Sequence, residues 1–449
     1  MKKYLIAGAV AAALAAPASA QQRATADQVL RELEALSARV DKLEQDNSQL
    51  KTENEQLKAM NDRIEATTEY LRANASATRK ELAEETPKIG DIEKIARAAE
   101  WASRISWKAD LRYRHENVDP EEASTDQDRQ RIRARFGLTG KINDTLSATI
   151  QLATNGGSND PRSTNQTLGE GWTRKGVGID LAYVDWKPME GLHLLFGKMP
   201  QPWQRVGSYV WDGDITPEGM AAKFSRGAFF GSAFGYYLSE RSSANDATLL
   251  GAQIGMTGNL GAAKLTGAIG YYDVGSVQGE ITTTSTTTGC TANSAFFGGP
   301  QGNTTIPVGV CATLAHDFNM LDAILQAEFS LGAQPLNLFA HYLQNQEAED
   351  LDSAYALGFT WGKAGNPKSW EFGYAYQVTE KDAQFAQFVD SNFGGGITDV
   401  DGSVLKVAYA PAKNWVLNGT YFMNQRFVDA IGATESDYDR YQIDLNFKF

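Results

Sequence analysis

Residues 438–449 read YDRYQIDLNFKF. The odd positions Tyr441, Ile443, Leu445, Phe447 and Phe449 are large and apolar, whereas the even positions Arg440, Gln442, Asp444, Asn446 and Lys448 are polar or charged. Strict alternation of this kind reads as a β-strand with two unlike faces, because successive side chains point to opposite sides of the backbone. Rings on one face and charges on the other set the strand between two contrasting media. The rest of the chain says which.

The first twenty residues, MKKYLIAGAVAAALAAPASA, carry two lysines, a short apolar run and a small-x-small ending at Ala18-Ser19-Ala20. Together they predict a secretory signal over 1–20 and a mature chain beginning near Gln21, outside the cytoplasm. Beyond that point no run of ~20 apolar residues occurs, which excludes an ordinary transmembrane helix. A membrane protein built this way must close a barrel, since in lipid only helices and closed barrels satisfy their own backbone. The chain has 449 residues, a net charge of -13, 42 glycines and 10% aromatic residues. Its acidic balance argues against nucleic acid as a partner. The first hundred residues are close to charge balance, so the excess acid lies beyond them and two regions of different character join near residue 100.

The first region, 21–86, has a heptad pattern. With Leu33 at a, the a/d series runs Leu33, Leu36, Val40, Leu43, Asn47, Leu50, Asn54, Leu57, Asn61, Ile64, Thr68, Leu71. Asn at a fixes register at some cost in stability. In a parallel, in-register coil the g-to-e′ neighbours are Arg39 with Glu44, Asp46 with Lys51 and Glu53 with Lys58, all of opposite sign. The pattern predicts a parallel α-helical coiled coil, of two or three strands, about 70 Å long from Ala26 to Leu71. The alternative is a single surface helix, which calls for a wider apolar stripe.

Residues 87–104 form a linker, broken by the proline and glycine of ETPKIGD, and a short amphipathic stretch, IEKIARAAEWASR. From Ile105 to Phe449 the period is two. About sixteen strand-like segments follow, the first near 105–116 and the last near 437–449, an even number as bacterial barrels require. Short links such as KIND, SRG, NLG and PAK fall at every second junction, and the links between them are mostly longer, including 155–175, 200–217, 276–315 and 381–398. That asymmetry predicts tight periplasmic turns and long external loops, with both barrel ends on the periplasmic side. In 128–140 the outward series is Ile132, Ala134, Phe136, Leu138 and the inward one Arg129, Arg131, Arg133, Arg135, Thr139. The fold expected is therefore an all-β transmembrane barrel of antiparallel strands over 105–449, preceded by the coil. Its final strand separates lipid from a polar lumen.

The stretches WKADLRYRHENV, RQRIRARFGLTGKIND, GIDLAYVDWKP, FGKMPQPW and VWDGDITPEGMAAKFSR resemble motifs of the Gram-negative outer-membrane "putative porins", a family that often carries an N-terminal coiled coil. The resemblance covers most of 101–449. It implies a channel in the cell outer membrane with the coil in the periplasm, no enzymatic activity and no cofactor. Similarity to trimeric porins implies self-association as a homotrimer among outer-membrane lipid, and peptidoglycan is a further candidate partner for the coil.

Period-two counting puts Lys108, Arg112, Arg114, Arg131, Arg133 and Arg135 on the lumen wall. By analogy with general porins, the third long link, QPWQRVGSYVWDGDITP, enters the barrel and sets Arg205, Asp212 and Asp214 opposite them. Such a pairing sorts polar solutes at the narrowest level. The competing reading is that the arginines brace the wall through Asp110, Asp180 or Asp185. Cys290 and Cys311 lie in the longest loop, and export to an oxidising compartment favours a disulfide over two free thiols. His115, His193, His316 and His341 show no metal-ligand spacing, and no Ser/His arrangement marks a catalytic site. The function expected is passive diffusion of small hydrophilic solutes and ions. The alternative is a structural protein whose coil spaces or tethers the membrane from the cell wall.

Overall fold

A computed structural model describes residues 20–85, 99–100, 102–155, 160–242, 245–429 and 434–449. The expected signal segment, apart from Ala20, and most of the linker lie outside these residues. The chain divides into two units, Met1–Ala98 and Ala99–Phe449.

In the first unit, helix α1 spans Ala20–Glu85, 66 residues without Gly or Pro. It thus runs beyond the Leu71 at which the heptad series stops, ending just before Pro87, whose ring disfavours helix in the residue before it. Leu33, Leu36, Leu43, Leu50, Leu57, Ile64 and Leu71 are all exposed along it. The structure therefore shows one helix with an uncovered leucine seam, not a coil.

The second unit is a closed antiparallel barrel. Its strands are β1 Ile105–Pro120, β2 Gln127–Lys141, β3 Leu146–Thr154, β4 Val177–Met189, β5 Leu192–Lys198, β6 Glu218–Arg226, β7 Phe229–Ser239 and β8 Ala247–Leu260, then β9 Ala263–Gly275, β10 Phe318–Leu331, β11 Gln334–Asn345, β12 Ser353–Gly362, β13 Ser369–Thr379, β14 Val400–Ala412, β15 Trp415–Arg426 and β16 Ser436–Lys448. A two-residue strand, Gln166–Thr167, adds to β2, and Thr305–Val308 pairs with Cys311–Leu314 in a loop hairpin. Each long strand pairs with its neighbour in sequence, and β16 returns to β1 from Asp110↔Lys448 to Pro120↔Tyr438. Closure leaves no sheet edge, which lipid would not tolerate.

Exposure along the strands is inverted relative to a water-soluble protein. Leu111, Tyr113, Ile254, Ile269, Leu405 and Ile443 are exposed, while Glu116, Gln253, Asp322, Arg440, Gln442 and Asp444 are buried. The apolar faces point out and the polar faces in. At the short-turn end the outer face carries stacked rings, Trp107 on Phe136, Trp361 on Phe372 and Trp415 on Phe447. Such aromatic girdles mark a membrane–water boundary. The short and long connections alternate as the sequence predicts, from turns of a few residues such as 142–145 and 227–228 to links such as 199–217, 276–317 and 380–399.

The lumen is far from empty. The links 199–217, 276–317 and 380–399 fold inward and pack on the inner faces of β7 to β11, where Trp203, Trp211, Phe234, Tyr236, Tyr272, Phe318, Phe385 and Phe388 form one buried cluster. Small residues on the wall make room for it. At Gly251 and Gly255 a Cβ would overlap the rings of Phe234 and Phe230. Within the link 276–317, Cys290 is bonded to Cys311, their Cα atoms 5.8 Å apart.

Candidate functional site

The opposite wall, formed by β16, β1 and β2, is polar, and its register arranges charge in rungs. Across β1 and β2 the facing pairs are Asp110↔Arg135, Arg112↔Arg133, Arg114↔Arg131 and Glu116↔Arg129. Two rungs therefore oppose arginine to arginine, which is unfavourable without compensation. The acidic rungs above and below supply it. Asp110 takes Arg135 at 2.8 Å and Arg133 at 3.1 Å, and Glu116 takes Arg129 at 2.6 Å and Arg131 at 3.2 Å. Asp444, brought alongside by β16, accepts both Nε and Nη2 of Arg114, at 2.6 and 2.8 Å.

The link 199–217 crosses toward this wall. Its base is closed by the Met199 N–H to the Pro217 carbonyl, 2.9 Å, and its rings anchor it on the far side. Tyr209 stacks on Phe339, and the Lys406 ammonium lies over its ring, 4.7 Å from the centroid. Trp211 donates its indole N–H to Asp322, which also meets His341 at 2.7 Å, both side chains 1% exposed. The tip then presents Asp212 and Asp214, with Asp214 4.0 Å from Arg133 and 3.9 Å from Arg135.

The link 380–399 enters alongside, a partner that sequence reasoning missed. The Asp212 N–H donates to the Phe388 carbonyl and the Ser391 N–H to the Asp212 carboxylate. Asn392 accepts from Arg114 and Gln442, tying this link to the wall. Arg162 binds the carbonyls of Ala386 and Gly396. Burial, and then the nearby Asp390 and Asp214, push the Asp212 carboxyl well above the usual carboxylate range. Burial likewise raises that of Asp390.

Two polar chambers lie between the wall and these links. One of about 430 Å³ is lined by Lys108, Arg135, Arg205 and Asp214 among others. The next, 250 Å³, is lined by Arg112, Arg114, Arg133, Asp212 and Asp214, joined by Arg162 and Asp390. Eight of the nine residues anticipated for the lumen thus border one chamber or the other. Arg131 borders neither, being spent on Glu116 and the Asn165 carbonyl. Arg205 donates to the Gly207 carbonyl of its own loop. Of the bracing partners expected, Asp110 serves. Asp180 instead takes Gln151, and Asp185 takes His193 and Lys187. Glu116, Asp444 and Arg440 went unassigned, although they share the inward parity that marked the arginines. No group of three or more metal-ligating side chains occurs among the described residues.

A closed sixteen-strand barrel with an apolar outer belt, aromatic girdle and charged, loop-narrowed lumen defines an outer-membrane channel of the porin class. The family described as "Putative porin" matches residues 118–315 and 310–449, and the chain belongs to it. No curated protein matches the chain in sequence. Among solved structures, OprB of Pseudomonas putida at high pH superposes with a TM-score of 0.52 at 12% identity, over 79% of this chain and 96% of that one. The loop L8 deletion mutant of OmpT from Vibrio cholerae gives 0.45 at 12% identity, over 77% and 100%. OmpF of Salmonella typhi in complex with daunomycin gives 0.45 at 10% identity, over 77% and 97%. The likeness to OprB is one of fold. Family and fold place the barrel in the outer membrane as a channel and suggest no enzyme.

Proposed function

We propose that the barrel is a water-filled passage for small hydrophilic solutes and ions, with its narrow zone between the arginine rungs and the carboxylates of the in-folded links. The observation that carries this is that Arg112, Arg114 and Arg133, from the two Arg↔Arg rungs, face Asp212 and Asp214 across the 250 Å³ chamber. Bracing the wall would call for no like-charged rungs. Net charge is a poor guide to selectivity here. Glu347, Glu349, Asp350 and Asp352 lie in an outer link, where screening over ~8 Å at physiological ionic strength blunts them. The narrow zone is therefore weakly anion-preferring or near neutral. Replacing Arg133 and Arg135 by Ser frees Asp110 and Asp214, so the reversal potential under a KCl gradient is expected to move toward cations. An unmoved potential in folded, conducting channels assigns these arginines to bracing.

The raised Asp212 carboxyl adds a pH dependence. It faces Asp214, Asp390 and the arginines of the wall, and is neutral below its elevated pKa. As pH rises through that range, above the usual carboxylate values, the narrow zone gains negative charge and the anion-to-cation permeability ratio falls. Asp212→Asn should remove that step from the pH profile of the reversal potential.

The uncovered leucine seam of α1 supports self-association through a parallel coil, which suits a homotrimer with the helix in the periplasm. A chain carrying Leu50→Cys should cross-link to its neighbours in membranes under mild oxidation. Chains that remain monomeric under those conditions exclude the in-register parallel coil.

A further inference from the structure

The 250 Å³ chamber holds two guanidinium groups that are fixed on one edge and unspent on the other. Arg112 is held by Asn165, whose amide oxygen accepts from Nε at 3.2 Å and Nη2 at 2.6 Å. Arg133 is held by Asp110, at 3.2 Å from Nε and 3.1 Å from Nη2. The remaining Nη1 of Arg112 comes no nearer than 3.9 Å to Asp444, and that of Arg133 no nearer than 4.0 Å to Asp214. These two arginines are directly opposed in the β1–β2 register.

Apart from Asp214, the other charged groups around the chamber are engaged. Asp444 is occupied by Arg114. Asp212 accepts the N–H groups of Asp214 and Ser391, at 2.8 and 2.9 Å. Asp390 accepts the backbone and side-chain N–H groups of Asn392, at 2.9 and 2.8 Å. Arg162 is taken up by carbonyls and Asp160. What the chamber has to spare is N–H donors carrying positive charge. Its four arginines outnumber its three carboxylates, of which Asp214 lies 4.0 Å from Arg133 and 3.9 Å from Arg135, and no aromatic side chain lines it to stack on a sugar ring. Its volume is that of about eight waters at ~30 Å³ each, room for one small solute.

We propose that this chamber is a saturable binding site for a small oxyanion, the carboxylate or phosphate of a solute in transit, held between the Nη1 groups of Arg112 and Arg133. Guanidinium edges suit such oxygens because they offer charge-assisted hydrogen bonds, and pinning the opposite edges lowers the entropy lost on binding. The assignment deepens the channel reading and rests on it for transport, though not for binding.

The test uses the full chain in two assays. In planar bilayers in KCl, inorganic phosphate or succinate added to one side is expected to reduce wild-type current saturably. Calorimetry on the detergent-solubilised protein is expected to show binding of the same anion. In Arg112→Gln/Arg133→Gln, still folded by its heat-modifiable migration, the half-blocking concentration should rise at least tenfold and the binding heat should vanish. Arg112→Lys keeps the charge but loses the fork, so its half-blocking concentration should fall between those of the wild type and the double variant. Binding of phosphate alone or succinate alone supports the site and names its source. Block and heat unchanged in the double variant, or a wild type with no binding heat and current that follows bulk conductivity, overturns the proposal. Phosphate binding that depends on Arg112 in a protein carrying no KCl current leaves the site standing and overturns the channel reading alone.

Discussion

Replacing residues 203–214 with a short Gly-Ser link is expected to raise single-channel current severalfold and to erase most of the preference between ions. A sixteen-strand barrel is wide enough for an aqueous channel, so the bore is set by what folds into it. The segment removed carries Trp203, Tyr209 and Trp211, which fill one side of the lumen, and Asp212, which faces the arginine wall on the other. Its removal spares the sheet, because the Met199 to Pro217 hydrogen bond lies outside the deletion. The link 380–399 also loses its hold, since Phe388 and Ser391 are both bonded to Asp212. Current unchanged in such a variant, with the barrel folded, would put the loop outside the permeation path.

The second large effect is on stability. Glu116 is 0% exposed and neutralises Arg129 and Arg131 directly, with Arg114 3.9 Å away and Gln442 donating to its second oxygen at 3.1 Å. Removing one partner of a buried ion network leaves uncompensated charge, at a cost of ~3–5 kcal/mol. Glu116→Ala should therefore lower the temperature at which the barrel loses its compact electrophoretic migration. Glu116→Gln keeps the shape and some hydrogen bonding, so it should fall between the variant and the parent. If the alanine variant matches the parent in heat stability, Glu116 does not hold the wall.

Both effects depend on features that were unequally legible in the sequence. The sixteen strands were readable because alternation reports a local property, the two faces of a single strand. The last strand shows this well: Tyr441 and Ile443 are exposed, whereas Gln442 and Asp444 are buried. The arginine wall was readable for the same reason. Its compensation was not, because Asp444 lies 330 residues from Arg114 and meets it only when the barrel closes. Asp180 and Asp185 looked equally suitable as partners, yet β4 is separated from β2 by β3. At ~4.8 Å per strand that spacing is about twice the distance between neighbours. The link 380–399 looked like an external loop, polar and rich in glycine. Phe385, Phe388 and Phe393 are the signal that it turns inward, since three rings in one link need apolar cover. The helix marks a further limit. Its heptads describe a surface that a second chain would cover, and a single chain shows only the seam.

The channel account is tested most directly by reconstituting the mature wild-type chain into planar bilayers and recording current under a KCl gradient. Stepwise increments that grow with salt concentration are predicted, with a reversal potential near zero or displaced toward anions. A folded, inserted barrel that passes no current, or one strongly selective for cations, would contradict the account.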